Sequence, residues 1–374
     1  MTDSGKWFFR LPTAIRFGDG ATDELAELVG RYGTRPVVVT DRVLAALPGP
    51  AALLSRFGDA PRFTEVEPNP TVTNVDRLAA LLRGSAADVI VAIGGGSSLD
   101  CAKAAGFLAA AGEESIRPYH SGGRPLGPAR LPLVAVPTTA GTGSEVTPFA
   151  VLDDRDRGVK GPIAGEALYP TLAVVDPLLT HTMPRPVTAA TGLDALSHAL
   201  EGYWSRQHQP LCDLLAKEAA RLVFRWFEVV CREPGHAEGR RAMAYAATLA
   251  GAAFQLPKNA MVHACSFPLS SRFHLSHGAA CAFTLEFAMR LNAPAMGGRL
   301  EELAAYCGFA GIEPMIARVR AFKRLGGLPC TLAEAGIGPE DVDALIRESF
   351  HPLIRNNPVE VTEADLRRMY EDLA

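Results

Sequence analysis

The chain has 374 residues, 48 % apolar and 21 % charged, with a formal net charge of -4; this is enough for two domains with separate cores. The balance is that of an ordinary globular protein: no Lys/Arg cluster marks a nucleic-acid face, and no 18-residue apolar run suggests a membrane span. The opening MTDSGKWFFR lacks the apolar core and cleavage site of a signal peptide, so the sequence reads as cytoplasmic. Seven cysteines, Cys101, Cys212, Cys231, Cys265, Cys281, Cys307 and Cys330, are odd in number and scattered. That pattern is neither a disulfide framework nor a zinc-cysteine cluster, and most of them read as small core residues.

In chain order, the opening WFFRLPTAIRFG (7 to 18) suggests an edge hairpin. PVVVT (36 to 40), DVIVAIGGG (88 to 96), LPLVAVPTT (131 to 139) and TLAVVD (171 to 176) are nearly continuous Val, Ile, Leu and Ala, as expected of strands buried on both faces. Between the first two lie a helix starting near Asp41, a short strand around 62 to 66 and a helix over 75 to 84. The repeated βαβ pattern predicts a parallel sheet with helices on both faces. From Pro186 onward the periodicity is helical: 187 to 206, 210 to 230, 238 to 256, 278 to 291, 298 to 307, 312 to 324, 339 to 350 and 362 to 372. The expectation is an α/β domain over 1 to 180 and an all-helical domain over 181 to 374, divided in PLLTHTMPRP, where Pro184 and Pro186 break the pattern.

AIGGGSSLDCAKAAG (92 to 106) runs from a strand end into a helix. Gly94, Gly95 and Gly96 permit a tight turn, and the helix start offers free N–H groups and a positive dipole end to a pyrophosphate. The spacing is not G-x-G-x-x-G, and glycines also serve plain turns. PTTAGTGSEVT (137 to 147) adds hydroxyls at Thr138, Thr139, Thr142 and Ser144 after another buried strand; alone it is also compatible with a polar loop. Asp41 ends the first strand, where a carboxylate can accept from a ribose 2′-OH and repel a 2′-phosphate, favouring NAD over NADP. Arg42 beside it works the other way.

In TGLDALSHALEGYW (191 to 204), Asp194 and His198 are four apart and share a helix face. Such a pair is commonly just a solvated contact. Here, however, Leu193, Ala195, Leu196, Ala199 and Leu200 make the helix apolar around most of its circumference, leaving a narrow stripe of Asp194, His198 and Glu201. A buried carboxylate calls for a cation or a charged donor. His263 and His277, in VHACSFPLSSRFHLSHG (262 to 278), complete a set that can hold a divalent first-row metal with an open position. Cys265 sits two residues past His263, near the site without being needed as a ligand.

Together GGGSSLD, PTTAGTGSE, DALSHALE and the two later histidines resemble the iron-dependent (group III) alcohol dehydrogenases over nearly the whole chain, and EPNPT (67 to 71) has the family's form. The resemblance implies a dinucleotide-binding α/β domain, an all-helical metal domain of the dehydroquinate-synthase-like type and a catalytic cleft between them. It implies Asp194, His198, His263 and His277 as ligands of Fe²⁺ or Zn²⁺. It also implies Gly95, Gly96, Ser97, Thr138, Thr139 and Thr142 as contacts of NAD(H) or NADP(H), with Asp100 and Lys160 facing the cofactor. One position departs: many members carry a second histidine near the substrate where this chain has Phe267. With Pro268-Leu269-Ser270-Ser271 and SHGAACAFTL, this is similar to the phosphonoacetaldehyde reductase subgroup, and implies reduction of phosphonoacetaldehyde to 2-hydroxyethylphosphonate in phosphonate metabolism and antibiotic biosynthesis.

On that reading a metal polarises the aldehyde while the nicotinamide delivers hydride. His274 is the nearest titratable proton donor by sequence, with water or the cofactor ribose as alternatives. Lys258, Arg272, Ser270, Ser271 and His274 are donors for an anionic substrate group. The same motifs permit a lactaldehyde, butanol or maleylacetate reductase, a lyase on the dehydroquinate-synthase scaffold, or a non-catalytic metal or nucleotide binder. An edge strand from the opening segment would let two copies pair as a homodimer.

Overall fold

The computed structural model describes residues 6 to 374. Two compact units are distinguishable: Leu11–Thr139 with Gly143–Thr180, and Ala140–Thr142 with His181–Ala374, which also takes in residues 6 to 10.

Eight strands form among the described residues of the first unit, the central apolar runs buried on both faces and the edge strand at 14 to 17 largely exposed. They are β1 (Ala14–Phe17), β2 (Pro36–Val39), β3 (Arg62–Phe63), β4 (Val89–Gly94), β5 (Leu133–Pro137), β6 (Phe149–Asp154), β7 (Val159–Ala164) and β8 (Leu172–Val175). Six of them make a parallel sheet in the order β1-β8-β5-β4-β2-β3, and every residue of β4 and β5 is buried. The sheet thus presents no solvent face for an alternating pattern, as a sheet covered on both sides requires. In the β4–β5 register Gly94 lies opposite Pro137. The glycine turn and the threonine loop therefore leave the same carboxyl edge, where doubly wound sheets bind ligands.

Two features depart from expectation. The opening segment is not a hairpin: only Ala14–Phe17 is strand, and it pairs in parallel with β8 at the sheet edge. WFFRLPT contains no Gly or Asn to make a two-residue return, and Pro12 lacks the N–H that a pairing strand would donate. Conversely, β6 and β7 form an antiparallel hairpin that the sequence reading missed. Its turn closes at Gly158, with φ of 63°, and its alternating half-burial reflects one face packed against Leu99, Ala102 and Leu108 of the Gly96–Ala111 helix.

The second unit is helical among its described residues. Its longer members are Arg185–Trp204, Pro210–Arg232, Ala237–Phe254, Met261–Phe273, His277–Asn292 and Ile312–Gly326. Arg185–Trp204 is buried along nearly its whole length, which explains why its apolar residues show no single stripe. Met261–Phe273 was absent from the sequence reading because Pro268 stands inside it. A proline removes one helical donor and crowds the carbonyl four residues back. The helix persists because residues 261 to 270 are all buried, so packing outweighs the local penalty. No described helix is long and apolar enough to cross a membrane.

His277–Asn292 begins so close to Arg185–Trp204 that a Cβ on Gly278 would overlap the carbonyl oxygen of Ala190 and come within 3.1 Å of Asp194 Cβ. Gly278→Ala is expected to cost about 1 to 3 kcal/mol in urea unfolding, the usual penalty of overpacking; a change below about 0.5 kcal/mol would show that the two helices part freely.

Candidate metal centre and cofactor loops

Three helices of the second unit bring four side chains to one point. Asp194 and His198 come from Arg185–Trp204, His263 from the first turn of Met261–Phe273, and His277 from the start of His277–Asn292. One ligand atom from each lies within 4.8 Å of every other. The Nε2 atoms of His198, His263 and His277 stand 3.6, 3.8 and 3.6 Å from a single oxygen, Asp194 Oδ1. These separations are too long for hydrogen bonds. They match the edge of a tetrahedron with metal–ligand bonds of about 2.1 Å, roughly 3.4 Å. The donor set fits a divalent first-row cation.

Two of the imidazoles, those of His263 and His198, are oriented from behind. Glu201, one more turn along the stripe that carries Asp194 and His198, is fully buried. It accepts from His263 Nδ1 at 2.6 Å and from the Val262 amide at 2.7 Å. This leaves His263 Nε2 as the atom facing the centre. His198 Nδ1 donates to Asn259 Oδ1 at 3.3 Å, and its ring stacks on Phe254 at 4.0 Å. Neither Glu201 nor Asn259 had a role in the sequence reading. The 194/198/201 spacing was a signal for Glu201, whereas nothing local pointed to Asn259. The side chains of Asp194, His198 and His263 are at most 5 % exposed but that of His277 is 27 % exposed, so solvent reaches the centre on the His277 side.

The electrostatics differ between the histidines, and the neutral form that a ligand needs is favoured at His198. Burial, reinforced by the neighbouring His263 and His277, holds His198 well below its usual 6.5, so it is neutral. For His263 burial opposes the charged form, yet Cys281 and Glu201 raise its pKa well above 6.5. The carboxylate is the cause that carries weight, because burial keeps the Cys281 thiol itself protonated. Burial also pushes Cys265 up to about 12, which leaves it inert near the site.

In the first unit, Gly95 is the N-cap of Gly96–Ala111 without a side-chain cap, leaving the first-turn N–H groups open to an anion. A Cβ on Gly94 would overlap Ser98, so the turn is tight there. The Thr138 amide donates to Gly94 O at 3.0 Å and joins the two loops. Asn69 of EPNPT, at φ of 53°, donates from its amide to Ser97 Oγ at 3.2 Å and accepts from Lys160 Nζ at 2.9 Å. That motif thus gathers two of the expected cofactor residues. Asp41 caps the next helix through the Leu44 amide at 2.9 Å, while Arg42 pairs with Glu65 at 3.0 Å. Asp100 accepts from Ser144 Oγ at 2.5 Å and the Val151 amide at 2.8 Å; its carboxylate is engaged inside the unit. Thr142 belongs to the helical unit.

The expected substrate residues have different surroundings. Arg272 pairs with Glu348 at 3.0 Å and lies 3.9 Å from Asp341, tying down the surface. His274 is an exposed C-cap at φ of 55°. Ser271 is exposed and donates to Pro268 O. Ser270 is buried, and its Oγ has no hydrogen-bond partner among the described residues. Lys258 is exposed and directly precedes Asn259. Phe267, one turn beyond His263, packs edge-on against His351 at 4.7 Å.

A metal-type centre built on helices and a dinucleotide-type glycine turn on a parallel sheet together define a class, the metal-dependent nicotinamide oxidoreductases. The family models for iron-containing alcohol dehydrogenase and for the C-terminal part of the Fe-containing alcohol dehydrogenase family match residues 12–177 and 188–374. The chain belongs to the iron-containing alcohol dehydrogenase family. Among solved structures, it is similar to sulfoacetaldehyde reductase from Bifidobacterium kashiwanohense in complex with NAD⁺ (40 % identity, 99 % of both chains, TM-score 0.93). It is also similar to a 1,3-propanediol oxidoreductase (30 %, 99 % and 100 % of the two chains, TM-score 0.91). In sequence it is 32 % identical to the NAD-dependent methanol dehydrogenase of Bacillus methanolicus, over 97 % of this chain and 99 % of that one.

Two outcomes test the centre. Glu201→Gln removes the charge behind His263 and should weaken Zn²⁺ binding 10- to 100-fold in chelator competition; unchanged affinity would mean that Glu201 merely fills space. For His198 the folded pKa is depressed, so the unfolded chain binds more protons below about 6.5. Its stabilising contribution is full above that pH and is lost as pH falls. In metal-stripped protein, the stability gap between wild type and His198→Gln should shrink between pH 7 and 5; a constant gap would contradict a buried neutral imidazole.

Proposed function

We propose that this enzyme reduces a short aldehyde bearing an anionic group, using NADH, with phosphonoacetaldehyde going to 2-hydroxyethylphosphonate. The observation that carries the reading is the convergence of three imidazoles on one buried carboxylate oxygen, in a family that interconverts alcohols and aldehydes. Asp194, His198, His263 and His277 are the ligands in this reading. A bound Fe²⁺ or Zn²⁺ supplies Lewis acidity to the carbonyl oxygen as hydride arrives. Glu201 and Asn259 keep the Nε2 atoms directed inward, and Phe254 holds the His198 ring.

For the cofactor, Gly95, Gly96 and Ser97 at the open helix start take the pyrophosphate, helped by Thr138, Thr139 and Thr142. Lys160 and Asn69 flank Ser97. Asp41 selects NADH over NADPH by repelling a 2′-phosphate, and the Arg42–Glu65 pair engages the cation next to it. Asp100 serves the cofactor indirectly, through Ser144. For the substrate, exposed Lys258 beside Asn259 is the cation for the anionic group, buried Ser270 a second donor, and His274 or water returns the proton. Arg272, engaged by Glu348, is a surface tie. Two copies pair through the exposed edge of β1 into a homodimer.

A second reading is supported by the 40 % identical relative: sulfoacetaldehyde, with a sulfonate in place of the phosphonate. A turnover assay following NADH or NADPH absorbance with phosphonoacetaldehyde, sulfoacetaldehyde and propanal separates the readings. The expected result is stoichiometric NADH loss with a charged aldehyde favoured over propanal in kcat/KM; preference for propanal would sink the anionic-substrate reading. Lys258→Met should raise KM for the charged aldehyde about 10- to 100-fold, the worth of one charge-assisted hydrogen bond, leaving propanal unaffected. Arg272→Met should change neither.

A further inference from the structure

Between the end of the Ala237–Phe254 helix and the start of Met261–Phe273, the chain turns through Pro257, Lys258 and Asn259. This turn carries Asn259, the partner of His198 Nδ1. Lys258 sits at φ of 63°, in the left-handed region that side chains bearing a Cβ disfavour, and its amide reaches back to Phe254 O at 2.7 Å. Local sequence does not account for that conformation. A residue about 100 positions away does.

The side-chain amide of Asn356 donates to Pro257 O at 2.6 Å, Lys258 O at 3.3 Å and Asn259 O at 3.0 Å. Three successive carbonyls can point at one NH₂ group only if the turn curls tightly around it. Asn356 is itself fixed. Its carbonyl accepts from the Arg206 amide at 2.9 Å, and the next residue, fully buried Asn357, exchanges two amide hydrogen bonds with Asn292 at 3.0 and 2.7 Å. Ser205 Oγ adds a bond to Pro257 O at 3.3 Å. The turn is therefore held from the helix before it and from the C-terminal segment at once.

We propose that Asn356 is a positioning residue for the metal centre: it clamps the 257–259 turn, holds Lys258 in its left-handed state and so sets Asn259 against His198. This rests on the reading of His198 as a ligand. Without the clamp, Lys258 relaxes to negative φ and the Asn259 side chain loses its place. The His198 ring is then free to swap the nitrogen it directs inward, because Phe254 fixes its plane but not its tautomer.

The test compares wild type, Asn356→Ala, Lys258→Gly and the double variant as full-length, metal-stripped proteins. Zn²⁺ affinity is read by competition with a chromophoric chelator, and unfolding is followed by circular dichroism. Asn356→Ala is expected to bind Zn²⁺ 10- to 100-fold more weakly, the usual cost of losing support behind a ligand, while unfolding cooperatively. Adding Lys258→Gly, which makes the left-handed turn free of strain, should restore most of that loss, and Lys258→Gly alone should bind as wild type does. Asn356→Ala binding within twofold of wild type, or a loss that glycine does not restore, overturns the inference while leaving the metal centre standing. A wild-type chain that takes up no Zn²⁺ overturns the metal reading and this inference with it.

Discussion

A carboxylate 2 % exposed to water is a cost that the helical unit must offset, and the arrangement around Asp194 is its answer. Burial of an ion in a weakly polar interior is unfavourable by several kcal/mol unless opposite charge or donors surround it. Three imidazoles meet that oxygen at nearly equal distances, and none is close enough for a hydrogen bond. Such a donor set fits a divalent first-row cation. The consequences extend outward: Gly278 has no Cβ because two helices must touch there, and Pro268 is tolerated because the helix carrying His263 is buried.

The supports behind the ligands form a second layer with its own logic. Glu201 lies on the ligand helix and reaches His263 on another, while Asn259 sits on a turn and reaches back to His198. Each fixes which ring nitrogen faces inward, and a mobile imidazole would present either. In the α/β unit the equivalent device is Asn69, whose left-handed backbone lets one residue touch both Ser97 and Lys160. A buried lysine does similar work there: Lys103 donates to Ser144 Oγ at 2.6 Å and Phe149 O at 2.8 Å, so the helix after the glycine turn and the β6 hairpin move as one piece.

Two cations close to the converging histidines in sequence end in different surroundings. Arg272 looked as promising as Lys258 in sequence, since both stand near ligand histidines. The fold separates them: two carboxylates hold Arg272, whereas Lys258 is exposed beside the turn that supports His198.

Sequence by itself determined the parallel sheet, most of the helices and the four residues that converge at the candidate metal centre. These are written in local terms: continuous apolar runs, 3.6-residue periodicity, an i,i+4 ligand pair and glycines at a strand end. The hairpin β6–β7, the helix through Pro268 and the single parallel strand at Ala14–Phe17 were decided by tertiary contacts: one face of the hairpin packed in the core, residues 261 to 270 buried, and the strand paired with β8. The same holds for the supports. Glu201 was visible on its stripe but not its partner, and Asn356 gave no local sign, since its three acceptors lie about 100 residues away. Only the folded chain brings such a donor to a turn whose backbone conformation no neighbouring residue favours.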